Sequence, residues 1–145
     1  MIRTTRSVPE IEPLADEFTS RVKGLTYGFD REWWIPFWEN LIDAGLGQIF
    51  VEEVDGEVVQ AMGVMLSPYL DEKLELREAF WIVDEESVGD GRELLRAVEA
   101  WGRENGAVRF YITRLEAAPR PEALDRFYRM AGFEPVERVF YKEID

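Results

Sequence analysis

The sequence predicts one α/β domain, of the α+β kind, whose sheet is mixed and mainly antiparallel. Three observations lead there. The chain has 145 residues, which suits a single domain with a substantial core. Its apolar residues follow strand-like runs in some stretches and helical spacing in others. The dipeptide Asp55-Gly56, a strong turn signal, joins two strand-like runs, which are therefore expected to pair as an antiparallel hairpin.

The first half of the chain is predicted as a strand, two helices and this hairpin. A short strand over Ile2–Arg6 precedes a helix with Ser7 as its N-cap. A second helix is expected to start near Pro36 and to stop at Gly45, because proline is unfavourable inside a helix. The runs GQIFVEEV and EVVQAMGVML supply the two hairpin strands.

The second half alternates strands and helices. KLELREAFWIV reads as a long strand, VRFYITR as a short one and FEPVERVFYKEI as the last strand. Helices are predicted over Gly91–Asn105, which has an apolar stripe, and over Glu122–Ala131. The predicted order is β-α-α-β-β-β-α-β-α-β.

Composition excludes several functional classes. A net charge of −13 argues against binding nucleic acid or an anionic membrane, and favours cationic ligands. The chain has no cysteine and no histidine, which removes thiolate nucleophiles, Ser-His-Asp catalysis and the usual zinc ligands. No metal is therefore expected. The absence of an apolar leader or a membrane-length run predicts a cytoplasmic protein.

The stretch VDEESVGDGRELL is the main candidate motif, because it reads as a strand end, a glycine loop and a helix start. Backbone N–H groups in such a loop point at phosphate oxygens. Four carboxylates surround this loop, however, with Arg92 as its one cation. The alternative is a solvated turn whose acids favour the positive end of the helix.

Two segments, Phe80–Ala107 and Leu124–Ile144, make the chain resemble the GNAT superfamily of acetyl-CoA-dependent N-acetyltransferases. The second matches the family's Phe-Tyr-x-x-x-Gly-Phe helix end and final strand. The resemblance spans almost the whole chain. It implies a single GNAT-like domain over residues 1–145, acetyl-CoA as co-substrate, and direct acetyl transfer to a primary amine in a ternary complex.

The resemblance also implies where acetyl-CoA binds. The pantetheine and thioester would lie along the backbone of one strand, and the pyrophosphate on the glycine loop. Two departures from the family pattern stand out: Glu86 replaces a Gln or Arg, and Pro121 replaces an Asn. The implied cofactor-binding residues are Phe80, Trp81, Ile82, Val83, Val88, Gly89, Asp90, Gly91 and Arg92.

Two residues are candidates for catalysis. Tyr128 stands where the family often has a tyrosine that protonates the leaving thiolate, four residues before Gly132. In the absence of histidine, the base is a carboxylate, a water chain or bulk solvent. Glu78 is preferred over Glu75 because it is nearer the expected splay of the sheet. The alternative roles are a half-buried packing tyrosine and solvent-facing strand glutamates.

The aromatic block YGFDREWWIPFWENL lies where the family's first two helices border the acceptor site. Aromatic rings beside acids suit a cation. Phe37 and Trp38 are expected in the core, and a protein interface is the other interpretation of the block. The implied acceptor-binding residues are Tyr27, Phe29, Trp33 and Trp34.

Two functions follow as hypotheses. The first is an N-acetyltransferase whose acceptor is a small cationic amine, a lysine or an N-terminus. The alternative is a catalytically inactive GNAT-fold module, such as a phage virion or host-interaction component, that uses its aromatic surface for protein contacts. That alternative implies a protein partner or a second copy of the chain, and a place in the virion.

Overall fold

The computed structural model of the protein describes residues 1–21, 30–86, 89–116 and 118–145. These residues fall into two compact units, Met1–Thr113 and Arg114–Asp145. Among them, no helix has an apolar stretch long enough to cross a membrane.

The first unit contains a five-stranded sheet in which the strands lie in sequence order. Each of the first four strands is antiparallel to its neighbour, and the fifth runs parallel to the fourth. This arrangement confirms the predicted mixed, mainly antiparallel sheet. The strands are β1 (Ile2–Thr5), β2 (Gly47–Val54), β3 (Glu57–Pro68), β4 (Leu74–Val83) and β5 (Ala107–Tyr111).

The β2–β3 hairpin forms at the turn that the sequence indicates. Asp55 and Gly56 have φ angles of 52° and 82°, as a two-residue turn of the I′ kind requires. Both residue types tolerate this left-handed backbone. The turn pairs Val54 with Glu57 and Glu53 with Val58, and a register shift of one residue between Glu53 and Glu52 then places Glu52 opposite Gln60.

Helices cover both faces of the sheet. A 3-10 helix (Val8–Ile11), α1 (Glu12–Arg21) and α2 (Arg31–Asp43) bury one face. Its core includes Ile49 and Val51. Alternate strand residues point to opposite faces, and Phe50 accordingly meets Trp101 of α3 (Gly91–Glu104), with ring centroids 6.0 Å apart.

The start of α2 differs from the prediction. The helix begins at Arg31 and contains Pro36. Asp30 caps it, since its carboxylate accepts a hydrogen bond from the Trp33 N–H at 3.3 Å. An internal proline costs a helix about 3 kcal/mol, and the packing of the helix's aromatic residues on the sheet offsets this cost. Ser7 makes no side-chain cap, contrary to expectation.

The second unit contains one helix, α4 (Pro121–Met130). Asp125 on this helix accepts a hydrogen bond from the Arg114 guanidinium at 2.7 Å. Gly132, with φ 96°, ends the helical segment as predicted. The predicted last strand is wrong, because residues 133–145 form no strand in the structure. Its apolar pattern is typical of a strand, but the described residues of the second unit contain no other strand with which it could form a ladder.

Candidate active site

The ladder between β4 and β5 ends before β4 does. It runs in parallel from Leu74↔Ala107 to Arg77↔Tyr111, where β5 itself ends, whereas β4 continues to Val83. Glu78 is the first residue of β4 beyond this described ladder. The splay expected from the sequence stays a prediction.

A charged cluster holds the two strands together at the point where pairing ends. The buried Glu75 carboxylate forms ion pairs with Arg77 and Arg109, both at 3.0 Å. The Arg77 guanidinium also lies over the rings of Tyr111 and Tyr69, at 4.2 and 5.2 Å from their centroids. Since both of its oxygens are engaged, Glu75 supports the fold and is a poor candidate for a base.

Glu78 has the opposite environment. It is half-buried, and its carboxylate makes no hydrogen bond or ion pair with any residue that the structure describes. Burial raises the pKa of its carboxyl from 4.5 to about 7. A carboxylate with this pKa accepts a proton readily at neutral pH, as a general base must.

A β-bulge beside Glu78 sets its position. Gly63 of β3 pairs with Phe80 and Val64 pairs with Glu78, which leaves Ala79 as the extra residue. The Phe80 ring lies against the Gly63 α-carbon, where an added Cβ would sit 2.2 Å from Phe80 Cε1. Gly63 therefore has to be a glycine for this ring to fit.

The aromatic block splits into a core part and a surface part. Trp34 and Trp38 hold the Phe80 ring, with centroids 5.3 and 5.2 Å away. Trp38 lies in the core as expected, and Trp34 packs against it. Trp33 is 60% exposed and stacks on Phe37 at 4.8 Å, so Phe37 is not a core residue.

The remaining acceptor candidates, Tyr27 and Phe29, lie outside the described residues. Of the four predicted acceptor residues, Trp33 is thus the one placed at a described surface. The role of all four stays a prediction.

The predicted donor segment, Phe80–Val83, is the end of β4, beyond the described ladder with β5. Phe80 and Ile82 pack into the core shared with the first two helices. The alternation of side chains sends Trp81 and Val83 to the opposite face. These side chains are thus committed to packing, and contact with a donor would be made by the strand's backbone, as the resemblance implies.

The glycine loop is described from Gly89 onward, and Val88 lies outside the described residues. Asp90 is the N-cap of α3, and its carboxylate accepts hydrogen bonds from the N–H groups of Arg92 and Glu93, both at 3.1 Å. Gly91 is the first residue of the helix. The described end of the loop is thus the capped N-terminus of α3. Its role in binding a pyrophosphate stays a prediction.

Sequence reasoning missed a buried polar network beneath this loop. Glu52 accepts hydrogen bonds from the Asp90 N–H at 2.8 Å and from the Gln60 side-chain amide at 2.5 Å. Gln60 in turn accepts one from the Trp81 indole at 2.9 Å. The available signal was Gln60 within the apolar run of β3, but its pairing with Glu52 depends on a register shift that the sequence alone does not reveal.

Tyr128 belongs to the second unit, where it is buried near the end of α4. Its ring lies 6.1 Å from Phe127 and 5.9 Å from Phe133, and its backbone oxygen accepts the Phe133 N–H at 3.0 Å. These contacts fix the ring within this unit. The proton-donor role implied by the resemblance stays a prediction.

This chain is similar to known proteins in its structure, whereas its sequence gives no match. No family model matches the sequence, and no curated protein matches it. The structure is similar to an aminoglycoside acetyltransferase, meta-AAC0020, from an uncultured soil metagenomic sample in complex with sisomicin. The identity is 18%, the TM-score is 0.74, and the match covers 100% of this chain and 96% of the other.

Two further solved structures are similar over their whole length. One is AAC(6')-Iy in complex with a bisubstrate analogue of CoA and acetylneamine, at 18% identity and TM-score 0.70, covering 100% of this chain and 97% of the other. The other is the aminoglycoside 6'-N-acetyltransferase AAC(6')-IG from Acinetobacter haemolyticus, at 15% identity and TM-score 0.69, covering 100% and 99%. Such identities establish fold and leave activity open. The chain therefore has the GNAT fold.

Proposed function

We propose that the protein is an N-acetyltransferase that moves an acetyl group from acetyl-CoA to a primary amine. One observation carries the proposal: the Glu78 carboxyl, with its pKa raised to about 7 by burial, lies on β4 just beyond the described ladder with β5 in a GNAT fold. This is a carboxylate tuned to accept a proton, on the strand along which the resemblance places the thioester.

In the proposed reaction, Glu78 accepts a proton from the acceptor ammonium, directly or through water. The neutral amine nitrogen then attacks the thioester carbonyl carbon, and a C–N bond forms while the C–S bond breaks. The thiolate takes a proton from the Tyr128 hydroxyl, and Tyr128 recovers one from the amine nitrogen. Overall, an ammonium and a thioester give an amide, a thiol and one proton released to solvent.

A small amine with several positive charges is the acceptor class that the chain favours. The net charge of −13 attracts cations over the whole surface. The exposed Trp33–Phe37 stack on α2 offers a flat aromatic face to such a ligand. The similar structures named above support this class, because their names describe acetyltransferases of aminoglycosides, which are polycationic amines.

The test measures acetyl transfer to a panel of polyamines, aminoglycosides and lysine peptides, with release of the CoA thiol as the readout. We expect Tyr128→Phe to lower kcat by about 10²-fold or more, the usual share of acid–base catalysis, with donor binding retained. In the wild type, kcat/KM should rise with pH and level off above about 7, the pKa of Glu78. Glu78→Gln should abolish this dependence.

A matched control is Glu104→Gln, an exposed glutamate in the last turn of α3. It changes the same functional group away from β4 and should leave the rate unaltered. Absence of transfer to every amine in the panel would rule out the proposal. The exposed Trp33–Phe37 stack would then favour the non-catalytic module, with Trp33→Ala abolishing capture of its protein partner.

A further inference from the structure

The β-bulge in β4 places Glu78 and Trp81 side by side on one face of the sheet. Val64 and Met62 of β3 are two positions apart, so their side chains point to the same face. Their partners on β4 are Glu78 and Trp81, because Ala79 is the extra residue between them. Trp81 is therefore the next side chain to Glu78 along this face of β4, at a backbone spacing of about 7 Å.

The Trp81 indole has one hydrogen-bond donor, and Gln60 accepts it. The indole N–H donates to Gln60 Oε1 at 2.9 Å. The Glu78 carboxylate, on the same face, accepts no hydrogen bond from a described residue. A carboxylate that accepts an N–H is stabilised in its charged form, which lowers its pKa. The choice of acceptor for the Trp81 N–H therefore affects how readily Glu78 takes up a proton.

Glu52 determines which end of the Gln60 amide faces Trp81. A carboxylate can only accept hydrogen bonds, and Glu52 Oε2 accepts one from Gln60 Nε2 at 2.5 Å. The amide oxygen is thereby left for the indole. Glu52 is held in turn by the Asp90 N–H at 2.8 Å. Since Gln60 is 1% exposed and Glu52 6% exposed, a single orientation of the amide satisfies both of its neighbours.

Charged side chains of the described residues do not account for the environment of Glu78, because burial is what raises its pKa. On β4, Glu75 and Arg77 alternate to the other face, and Glu75 pairs with Arg77 and with Arg109 of β5. From Val58 to Pro68, β3 has no charged residue. The charged residues of α3 are all exposed: Arg92, Glu93, Arg96, Glu99, Arg103 and Glu104.

We propose that Gln60 is a positioning residue for the reaction: by accepting the Trp81 indole N–H, it keeps this donor away from the Glu78 carboxylate. Glu52 acts one step further back, because it holds the Gln60 amide in the orientation that this requires. The inference rests on the proposed function, in which Glu78 accepts the proton of the amine. Gln60 itself touches neither substrate nor reacting atoms.

The test is a carbon-13 NMR titration of the glutamate carboxyl groups in the full chain, in which Glu78→Gln identifies the Glu78 signal. We expect a wild-type midpoint of about 7. Gln60→Met keeps the length of the side chain and removes the acceptor, so that the indole N–H can turn to the Glu78 carboxylate. Its midpoint should be lower by about one pH unit.

Trp81→Phe shows whether the effect passes through the indole. It retains an aromatic ring without an N–H, so adding Gln60→Met to it should leave the Glu78 midpoint where Trp81→Phe alone puts it. Gln60→Asn is the second variant at position 60, should Gln60→Met fail to fold. Its amide is one methylene shorter and cannot reach both neighbours, so it should lower the midpoint as well.

Gln48→Met is the matched control. Gln48 lies on the same face as Glu78, separated from it by Val64 of β3, and its side-chain oxygen accepts the Ile49 N–H. This substitution removes the same amide from the same sheet without releasing an indole. The Glu78 midpoint should stay at its wild-type value.

A Glu78 midpoint that stays within about 0.3 pH units of the wild type in both Gln60→Met and Gln60→Asn would overturn the inference. So would an equal fall caused by Gln60→Met in the presence of Trp81→Phe. The titration needs no substrate, so its result is separate from that of the acetyl-transfer test. The expected midpoints without transfer to any amine would support the control of Glu78 by Gln60 while ruling out the acetyltransferase.

Discussion

Glu78 illustrates how a residue proposed for catalysis can lower the stability of the fold. Its folded-state pKa of about 7 exceeds the ordinary value of 4.5 because burial disfavours the charged form. As pH rises from 4.5, the unfolded chain loses this proton before the folded chain does. Stability therefore falls between pH 4.5 and about 7, by an amount on the order of 3 kcal/mol.

Glu78→Gln should consequently stabilise the protein while impairing it. At pH 8 we expect the free energy of unfolding to rise by roughly 1–3 kcal/mol, because an amide has no ionised form to desolvate. The gain should shrink at pH 5.5, because the stability cost accumulates between pH 4.5 and about 7 and less than half of it is present at pH 5.5. Urea unfolding of the wild type and the variant at both pH values measures it. A variant less stable than the wild type at pH 8 would contradict this account.

The residue scale is also where the sequence was least informative. Glu75 and Glu78 are three positions apart on one strand, and nothing in their type separates them. The structure distinguishes them by environment: ion pairs on both oxygens of Glu75, and half-burial with a bulge beside Glu78. Both features depend on neighbouring strands, which a single sequence does not display. The same holds for Glu52 beneath the loop.

At the scale of elements, the β3–β4 pair depends on one close contact. Gly63→Ala would bring a Cβ to 2.2 Å from the Phe80 ring, which Trp34 and Trp38 hold in place. We expect a loss of about 1–3 kcal/mol in the free energy of unfolding, the usual cost of overpacking. The pH profile of kcat/KM should shift as well, because the bulge beside Glu78 moves.

Phe80→Leu provides the matched test of this contact. Leucine is smaller, so Gly63→Ala should cost less in its presence than in the wild type. A double-mutant cycle by urea unfolding measures the coupling, which we expect at about 0.5 kcal/mol or more. Additive effects of the two substitutions would show that the ring and the glycine do not constrain each other.

Elements that are determined by residues next to each other in the sequence were predictable. Elements that depend on packing or pairing with distant parts of the chain were not. The β2–β3 hairpin was correct because Asp55-Gly56 encodes its own turn. The start of α2 was wrong because aromatic packing and the Asp30 cap outweigh the internal Pro36. The last strand was wrong because strand formation needs a neighbouring strand as well as strand-like composition, and the described residues of the second unit contain no other strand.

At the scale of the whole molecule, charge should govern the encounter with an acceptor. The net charge of −13 concentrates cations near the surface, and salt screens this attraction. Between about 0.1 and 1 M salt the Debye length falls from about 10 to about 3 Å. We expect KM for a polyamine to rise several-fold over this range, and KM for a monoamine to change less. Initial rates measure both, and equal responses would show that net charge plays no part.

The fold of the whole molecule was more predictable than its site. The order of strands and helices, with two family-like segments in sequence, indicated the GNAT fold, and the sheet confirms its topology. The glycine loop shows the limit of this reasoning. Gly89 is explained by its close contact with the buried Glu52 carboxylate, so its presence does not by itself indicate a phosphate site. A glycine motif in a sequence indicates a position where the backbone requires glycine. It does not indicate which neighbouring group causes that requirement.

The hydrogen bond from Trp81 to Gln60 gives the protein a natural optical reporter. This indole joins the network that runs through Glu52 to the Asp90 N–H, and its residue lies on β4 beyond the described ladder with β5. Indole fluorescence responds to the polarity and charge around the ring. An event at either the strand or the loop therefore changes the emission of Trp81 with no dye attached, and a chain without cysteine leaves thiol-linked dyes free for any other position.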